Sequence, residues 1–177
     1  MNEISKHHKE QAQKKLNFAI YICSTSRYYQ MEKGNTVSDV SGKLIQELIQ
    51  TAGHTVIYKK FLLDDKNMIT RAFEDSLSIA YLDAVIFSGG TGIAPTDVTI
   101  EAITPLLEKV LPGFGELFRQ ISFEEMGSAA VLSRAIAGVR GSKAFFCIPG
   151  SPNAVKIAVE KLVLPETPHI IKHAREQ

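Results

Sequence analysis

The sequence predicts an α/β protein, a three-layer sandwich in which a mostly parallel sheet carries helices on both faces. Three observations predict it. Short, predominantly apolar runs recur over 16–23, 84–87 and 143–148. Segments with apolar residues at helical spacing lie between them. Strands buried on both faces belong to parallel sheets, whose crossovers are helices.

The elements follow in order. Residues 16–23 form a first strand, and 24–35, largely polar, form a loop. Over 37–52, Val40, Leu44, Ile45, Leu48 and Ile49 fall on one helical face, with Ser38 or Asp39 as the cap. Gly53, free to adopt the left-handed conformation, ends that helix. A strand over 54–61, a helix over 67–80 and a strand over 84–87 come next. The glycine-rich stretch 88–96 is a loop. A helix over 98–110 is interrupted by Pro105. Pro112-Gly113 punctuates the chain before a short helical stretch over 114–119. Residues 126–135 read as a further helix, 138–142 as a turn and 143–148 as the fourth strand. Pro152 at the first helical position and Ser151 as N-cap start a helix over 152–162, and 165–175 is the terminal helix. Residues 16–177 make one domain, preceded by a polar, flexible arm over 1–15. His7 and His8 lie in that arm and read as part of a solvated tail.

Charge and composition narrow the function. Twenty Lys and Arg against 19 Asp and Glu give a net charge of +1, so global electrostatics offers no case for nucleic acid. No apolar run approaches the ~18 residues of a membrane span, and the polar start lacks the apolar core of a secretory signal. The expected location is cytoplasmic. Cys23 and Cys147 sit in apolar runs and read as buried free thiols. No Cys/His cluster has zinc spacing. His54, His169 and His173 read as surface or packing residues.

Ligands of open parallel sheets bind beyond the carboxyl ends of the strands. Four loops leave such ends here, near Ser24, Asp64, Ser88 and Pro149. Ser88-Gly89-Gly90-Thr91-Gly92 is either a tight turn or a nest of amides for an anion. Asp97 either caps the next helix or places a carboxylate beside that nest, where it would hold Mg2+. Asp64 and Asp65 pose the same choice. Pro149-Gly150-Ser151-Pro152-Asn153 is a turn with a cap or a set of helix-terminal amides aimed at an anion. Ser24, Ser26 and Arg27 suit a phosphate or a polar ring edge. Known nucleotide fingerprints fail: Pro95 breaks the dinucleotide pattern that Gly90 and Gly92 would begin, and Gly42-Lys43 lacks the remainder of a P-loop.

Several blocks together resemble the MoaB/MogA family of molybdenum-cofactor proteins, the MoaB branch above all. They are Ser88 to Gly92, Pro95-Thr96-Asp97-Val98-Thr99-Ile100-Glu101-Ala102, Pro112-Gly113-Phe114-Gly115-Glu116, Arg119-Gln120-Ile121-Ser122, Leu132-Ser133-Arg134-Ala135 and Pro149 to Val155. The likeness spans about residues 16–174. It implies a molybdopterin-binding-domain fold and assembly as a homo-trimer or homo-hexamer. It also implies binding of molybdopterin, a pterin dithiolene with a terminal phosphate, and transfer of AMP from ATP with Mg2+. On the matching positions it implies that Asp64 and Asp97 hold the metal and serve catalysis, and that Thr91 and Ser122 are the hydroxyl residues of the site. Substrate contacts would come from Ser24, Ser26, Arg27, Ser88, Gly89, Gly90, Thr91, Gly92, Pro149, Gly150, Ser151 and Pro152. The chain departs from the family at Thr96, where many members carry Arg. That departure keeps a second reading open, a molybdopterin carrier without ATP chemistry. An unrelated nucleotide-binding enzyme of the same fold class is a third.

Overall fold

In the computed structural model, which describes residues 15–176, the apolar runs become the centre of a six-stranded sheet. The strands are β1 (Asn17–Cys23), β2 (Thr55–Leu62), β3 (Ala84–Ser88), β4 (Lys109–Val110), β5 (Ile136–Arg140) and β6 (Lys143–Ile148). Their spatial order is β2-β1-β3-β6-β5-β4. The first four in that order run parallel, and β5 and β4 join antiparallel at one edge. The expected arm over 1–15 lies, but for Lys15, outside the described residues.

Alternate residues of each central strand enter different cores. Phe18, Ile20 and Ile22 of β1 pack with Ile45, Ile49, Phe118, Phe146 and Val155, while Ala19, Tyr21 and Cys23 pack with Phe73, Phe87 and Phe145. Burial on both faces is what the unbroken apolar runs encode, and it fixes three layers. On the first face lie α2 (Val40–Thr51), α5 (Pro112–Met126), α6 (Pro152–Ala158) and α7 (Leu164–Arg175), and on the other α3 (Lys66–Leu77) and α4 (Thr99–Ile103). A short π-helical stretch, Val159–Val163, joins α6 to α7. Both cysteines are free and buried, as read from their apolar surroundings. Among the described residues, no helix is long and apolar enough to cross a membrane.

Four local readings need correction. The loop over 24–35 contains a helix, α1 (Thr25–Glu32), which buries none of its residues and so leaves no apolar periodicity to read. The helix over 114–119 extends from Pro112 to Met126, with Gly113 and Gly115, which lower helix propensity, in its first turn. Gly115 is there for space: a Cβ would sit 2.5 Å from the Ala135 carbonyl oxygen. The helix over 126–135 shrinks to a 3-10 segment, Gly127–Leu132. Beyond it lies β5, with β4 paired to it. Its Gly138 signalled a turn, but a Cβ there would meet Lys109 O and Leu107 Cδ1 at 2.6 Å. The glycine lets the edge pair close, and the turn itself is Gly141-Ser142, both at positive φ, as a two-residue hairpin linking antiparallel neighbours requires.

Capping is as the side chains dictate. Asp39 accepts from Gly42 N at 2.9 Å and Asp65 from Met68 N at 2.8 Å. Asp65→Ala should therefore cost ~1 kcal/mol in a urea melt, with the cleft described below unaltered. The registers Cys23↔Leu62, Ile22↔Ser88 and Ser88↔Ile148 bring the carboxyl ends of β1, β2, β3 and β6 level. Four loops separated in sequence thus leave the sheet side by side.

Candidate functional site

Beyond those strand ends lies a cleft of about 380 Å3. It is lined by Arg27, the glycine loop Gly89 to Gly92, Asp97, Leu132, Ser133, Arg134, Pro149 and Gly150. The glycines are there because other loops press against them. At Gly89, φ is +104° and a Cβ would lie 2.3 Å from the Cys23 carbonyl oxygen. At Gly90 it would lie 2.5 Å from Thr99 Oγ1 and 2.9 Å from Asp64 Oδ1, and at Gly92 2.7 Å from Asp97 Oδ2. A tight turn alone would not need all of these.

The loop is pinned by its carbonyls. Thr99 Oγ1 donates to Gly89 O at 2.8 Å and Thr99 N to Gly90 O at 3.0 Å. Arg134 donates through Nε to Thr91 O at 2.9 Å and through Nη2 to Gly92 O at 2.6 Å. The amide of Gly89 is spent on Ile148 O, continuing the β3–β6 ladder. An amide cradle running over all of 89–92 is therefore one residue too long. Among the described residues, the amides of Gly90, Thr91 and Gly92 take no protein acceptor. They remain available to an anion.

Both predicted carboxylates border this loop, Asp97 within the cleft lining and Asp64 outside it, behind Gly90. Asp64 Oδ2 accepts from Thr25 N and Thr25 Oγ1, each at 2.9 Å, while its Oδ1 lies against Gly90. Asp97 Oδ2 accepts from Ala94 N at 2.9 Å and abuts Gly92. The cap reading holds for Asp65, which caps α3, and not for Asp64 or Asp97: α4, with Val98 at its N-cap position, has no side-chain cap. Among the described residues, Oδ1 of each aspartate takes no protein hydrogen bond. Each carboxylate thus keeps one oxygen to offer, the hard donor type that Mg2+ takes beside substrate phosphates and water.

The other predicted residues divide. Thr91, Pro149 and Gly150 line the cleft, and Arg27 does so while its Nε donates to Ser38 O at 3.0 Å. Ser24 and Ser26 lie outside that lining, with their hydroxyl oxygens 3.3 Å from each other. Ser88 is buried, its hydroxyl donating to Pro149 O at 3.3 Å, and so ties two walls together. Ser41 Oγ donates to Gly150 O at 2.7 Å to the same end. Ser151 caps α6 and Pro152 opens it, so both are wall rather than lining. Ser122 is not brought to the cleft. It lies 1% exposed in α5 and donates to Phe118 O at 2.7 Å, one helical turn back.

Arg134 was missed as a site residue. It sits 42 residues from Gly92 in sequence, so no local spacing links them. Its Nη1 meets Glu101 Oε1 at 2.6 Å, and the guanidinium holds that carboxyl below the usual carboxylate range. Behind the loop, burial pushes the Cys23 thiol up to about 12. A thiol so far from its thiolate is no nucleophile at neutral pH.

Free amides, two guanidinium groups and two carboxylates at the carboxyl ends of parallel strands define an α/β protein suited to a phosphorylated small molecule. Comparison with known proteins specifies the family. Residues 19–169 match the family described as "Probable molybdopterin binding domain". The chain is 46% identical over 164 residues to "Molybdenum cofactor biosynthesis protein B" of Bacillus anthracis, covering 92% of this chain and 93% of that one. It is 41% identical over 163 residues to the "Probable molybdopterin adenylyltransferase" of Methanocaldococcus jannaschii, covering 92% and 96%. The crystal structure of the tungsten cofactor synthesizing protein MoaB from Pyrococcus furiosus superposes with a TM-score of 0.81 at 41% identity, over 93% of this chain and all of that one. The chain belongs to the molybdopterin-binding-domain family of molybdenum cofactor biosynthesis proteins.

Proposed function

We propose that the cleft binds molybdopterin and transfers AMP from ATP to its terminal phosphate. The observation that carries this reading is the placement of Asp64 and Asp97 against one glycine loop whose remaining amides face no protein acceptor. The likeness to a relative named as an adenylyltransferase supports it. A molybdopterin phosphate oxygen attacks the α-phosphorus of ATP. The new P–O bond forms as the bond from the α-phosphorus to the bridging oxygen breaks, and that oxygen leaves with its electron pair in pyrophosphate. The attacking group is already anionic near neutrality, so the chain needs no general base. Its task is to position two phosphates and stabilise spreading negative charge. The amides of Gly90 to Gly92 would hold phosphoryl oxygens. Arg27 supplies positive charge at the rim, and Arg134 fixes the loop that presents the amides. Mg2+, held by Asp64 and Asp97, would supply charge neutralisation at the phosphates.

The exposed apolar side chains of Leu117, Phe123, Met126, Val131 and Leu132 support association of copies of the chain, as a homo-trimer or homo-hexamer.

Purified protein given molybdopterin, ATP and Mg2+ should release pyrophosphate and stop when the metal is chelated. A carrier without ATP chemistry would bind molybdopterin and release none. Thr96, exposed and adjacent to Asp97, is what favours that second reading. Thr96→Arg restores a positive charge beside the phosphates. It should raise kcat/KM for ATP roughly fivefold, the equivalent of ~1 kcal/mol for a solvent-screened charge. Initial rates at varied ATP check it, and a rate unchanged by the arginine removes position 96 from the account.

A further inference from the structure

We propose that His169 and His173 form a binding site for a borderline transition-metal cation such as Zn2+, Ni2+ or Cu2+, remote from the cleft. The two stand one turn apart on α7. Their Nε2 atoms are 2.6 Å from each other and their ring centroids 4.5 Å. A metal about 2.0–2.1 Å from each nitrogen needs a separation of roughly 3.3 Å in tetrahedral geometry. A side-chain shift of under about 1 Å therefore admits it. His173 Nδ1 meets Glu176 Oε2 at 2.7 Å. In the tautomer whose Nδ1–H donates to the Glu176 carboxylate, His173 Nε2 carries the lone pair and accepts from His169 Nε2–H. This is the carboxylate–histidine arrangement that orients metal-bound imidazoles and raises their basicity. Metal binding requires both Nε2 atoms to present a lone pair to the cation.

Imidazole donors select Zn2+, Ni2+ or Cu2+ over Mg2+, so this site would not take up the Mg2+ proposed for the aspartate pair. They also lie at opposite ends of the sheet. The last turn of α7 is tied by Arg175 Nη2 to Asp83 Oδ1 at 2.6 Å, beside the amino end of β3, whereas the cleft lies beyond its carboxyl end. Both rings border a cavity of about 360 Å3. Among the described residues, no third His, Cys, Asp or Glu completes a ligand set, so water or an exogenous ligand fills the other positions.

The test is calorimetric titration of untagged, metal-stripped full-length protein with ZnCl2. One equivalent per chain that depends on the histidine pair is expected. His169→Gln and His173→Gln should each weaken binding more than ~10-fold, and Glu176→Gln, which loses only the orienting carboxylate, about 10-fold. The double substitution His7→Gln, His8→Gln should leave this binding intact. In the unaltered protein, long-range 1H–15N spectra should show Zn2+ shifting the Nε2 resonances of both His169 and His173. That measurement decides the matter even for a variant that fails to fold. An isotherm unchanged by His169→Gln and His173→Gln, its loss in the His7, His8 variant, or imidazole resonances that stay put would each overturn the proposal.

Discussion

Asp97→Ala is expected to lower pyrophosphate release at least ~100-fold, the usual loss when one group stabilising transition-state charge is removed, while molybdopterin still binds. The carboxylate sits against Gly92 and spends one oxygen on Ala94 N. Its removal therefore strips negative charge from the proposed cation site and frees one amide in a solvent-accessible loop. The second effect costs about 1 kcal/mol or less, because water replaces the lost acceptor. A large drop in kcat with little change in Tm separates chemistry from folding. Asp64→Ala is a less clean probe, because Asp64 also anchors the start of α1 through Thr25. Full turnover in Asp97→Ala would take Asp97 out of the reaction.

Gly89→Ala is expected to destabilise the fold by about 4 kcal/mol, in two parts. A residue with a side chain held at φ +104° is strained by roughly 1–3 kcal/mol. Its methyl would also stand 2.3 Å from Cys23 O, a backbone atom fixed in β1 between two neighbours, and overpacking of that kind costs a further ~1–3 kcal/mol. Gly53 provides the control. It has φ +86° but nothing within 4 Å of a Cβ, so Gly53→Ala should show the strain alone. Equilibrium urea denaturation of the two variants checks the difference. Equal losses would mean that the close approach of Gly89 to β1 is not what demands the glycine.

The central strands were legible because burial on both faces writes an unbroken apolar run, and α2 and α3 because each buries one face. α1 was illegible for the opposite reason, since it buries nothing. The edge strand β4 was hidden by its length and its inner neighbour β5 by Gly138, whose lack of a side chain is a packing requirement that looks like turn chemistry. At the cleft, the glycines and Asp97 could be found because they follow β3 directly. Arg134 could not, because its bonds to Thr91 O and Gly92 O depend on how the segment after α5 folds back. Ser122 misled because its position matched a motif, while its hydroxyl is turned to its own helix.

The central claim is that Asp64 and Asp97 hold one divalent cation where the glycine loop receives phosphate. Crystals grown with Mn2+ and a non-hydrolysable ATP analogue test it most directly, through the anomalous signal of the manganese. The account predicts a single peak in the cleft, coordinated by both carboxylates and by nucleotide phosphate, with the amides of Gly90 to Gly92 on phosphoryl oxygens. Manganese bound away from Asp64 and Asp97 while the nucleotide occupies the cleft would contradict it.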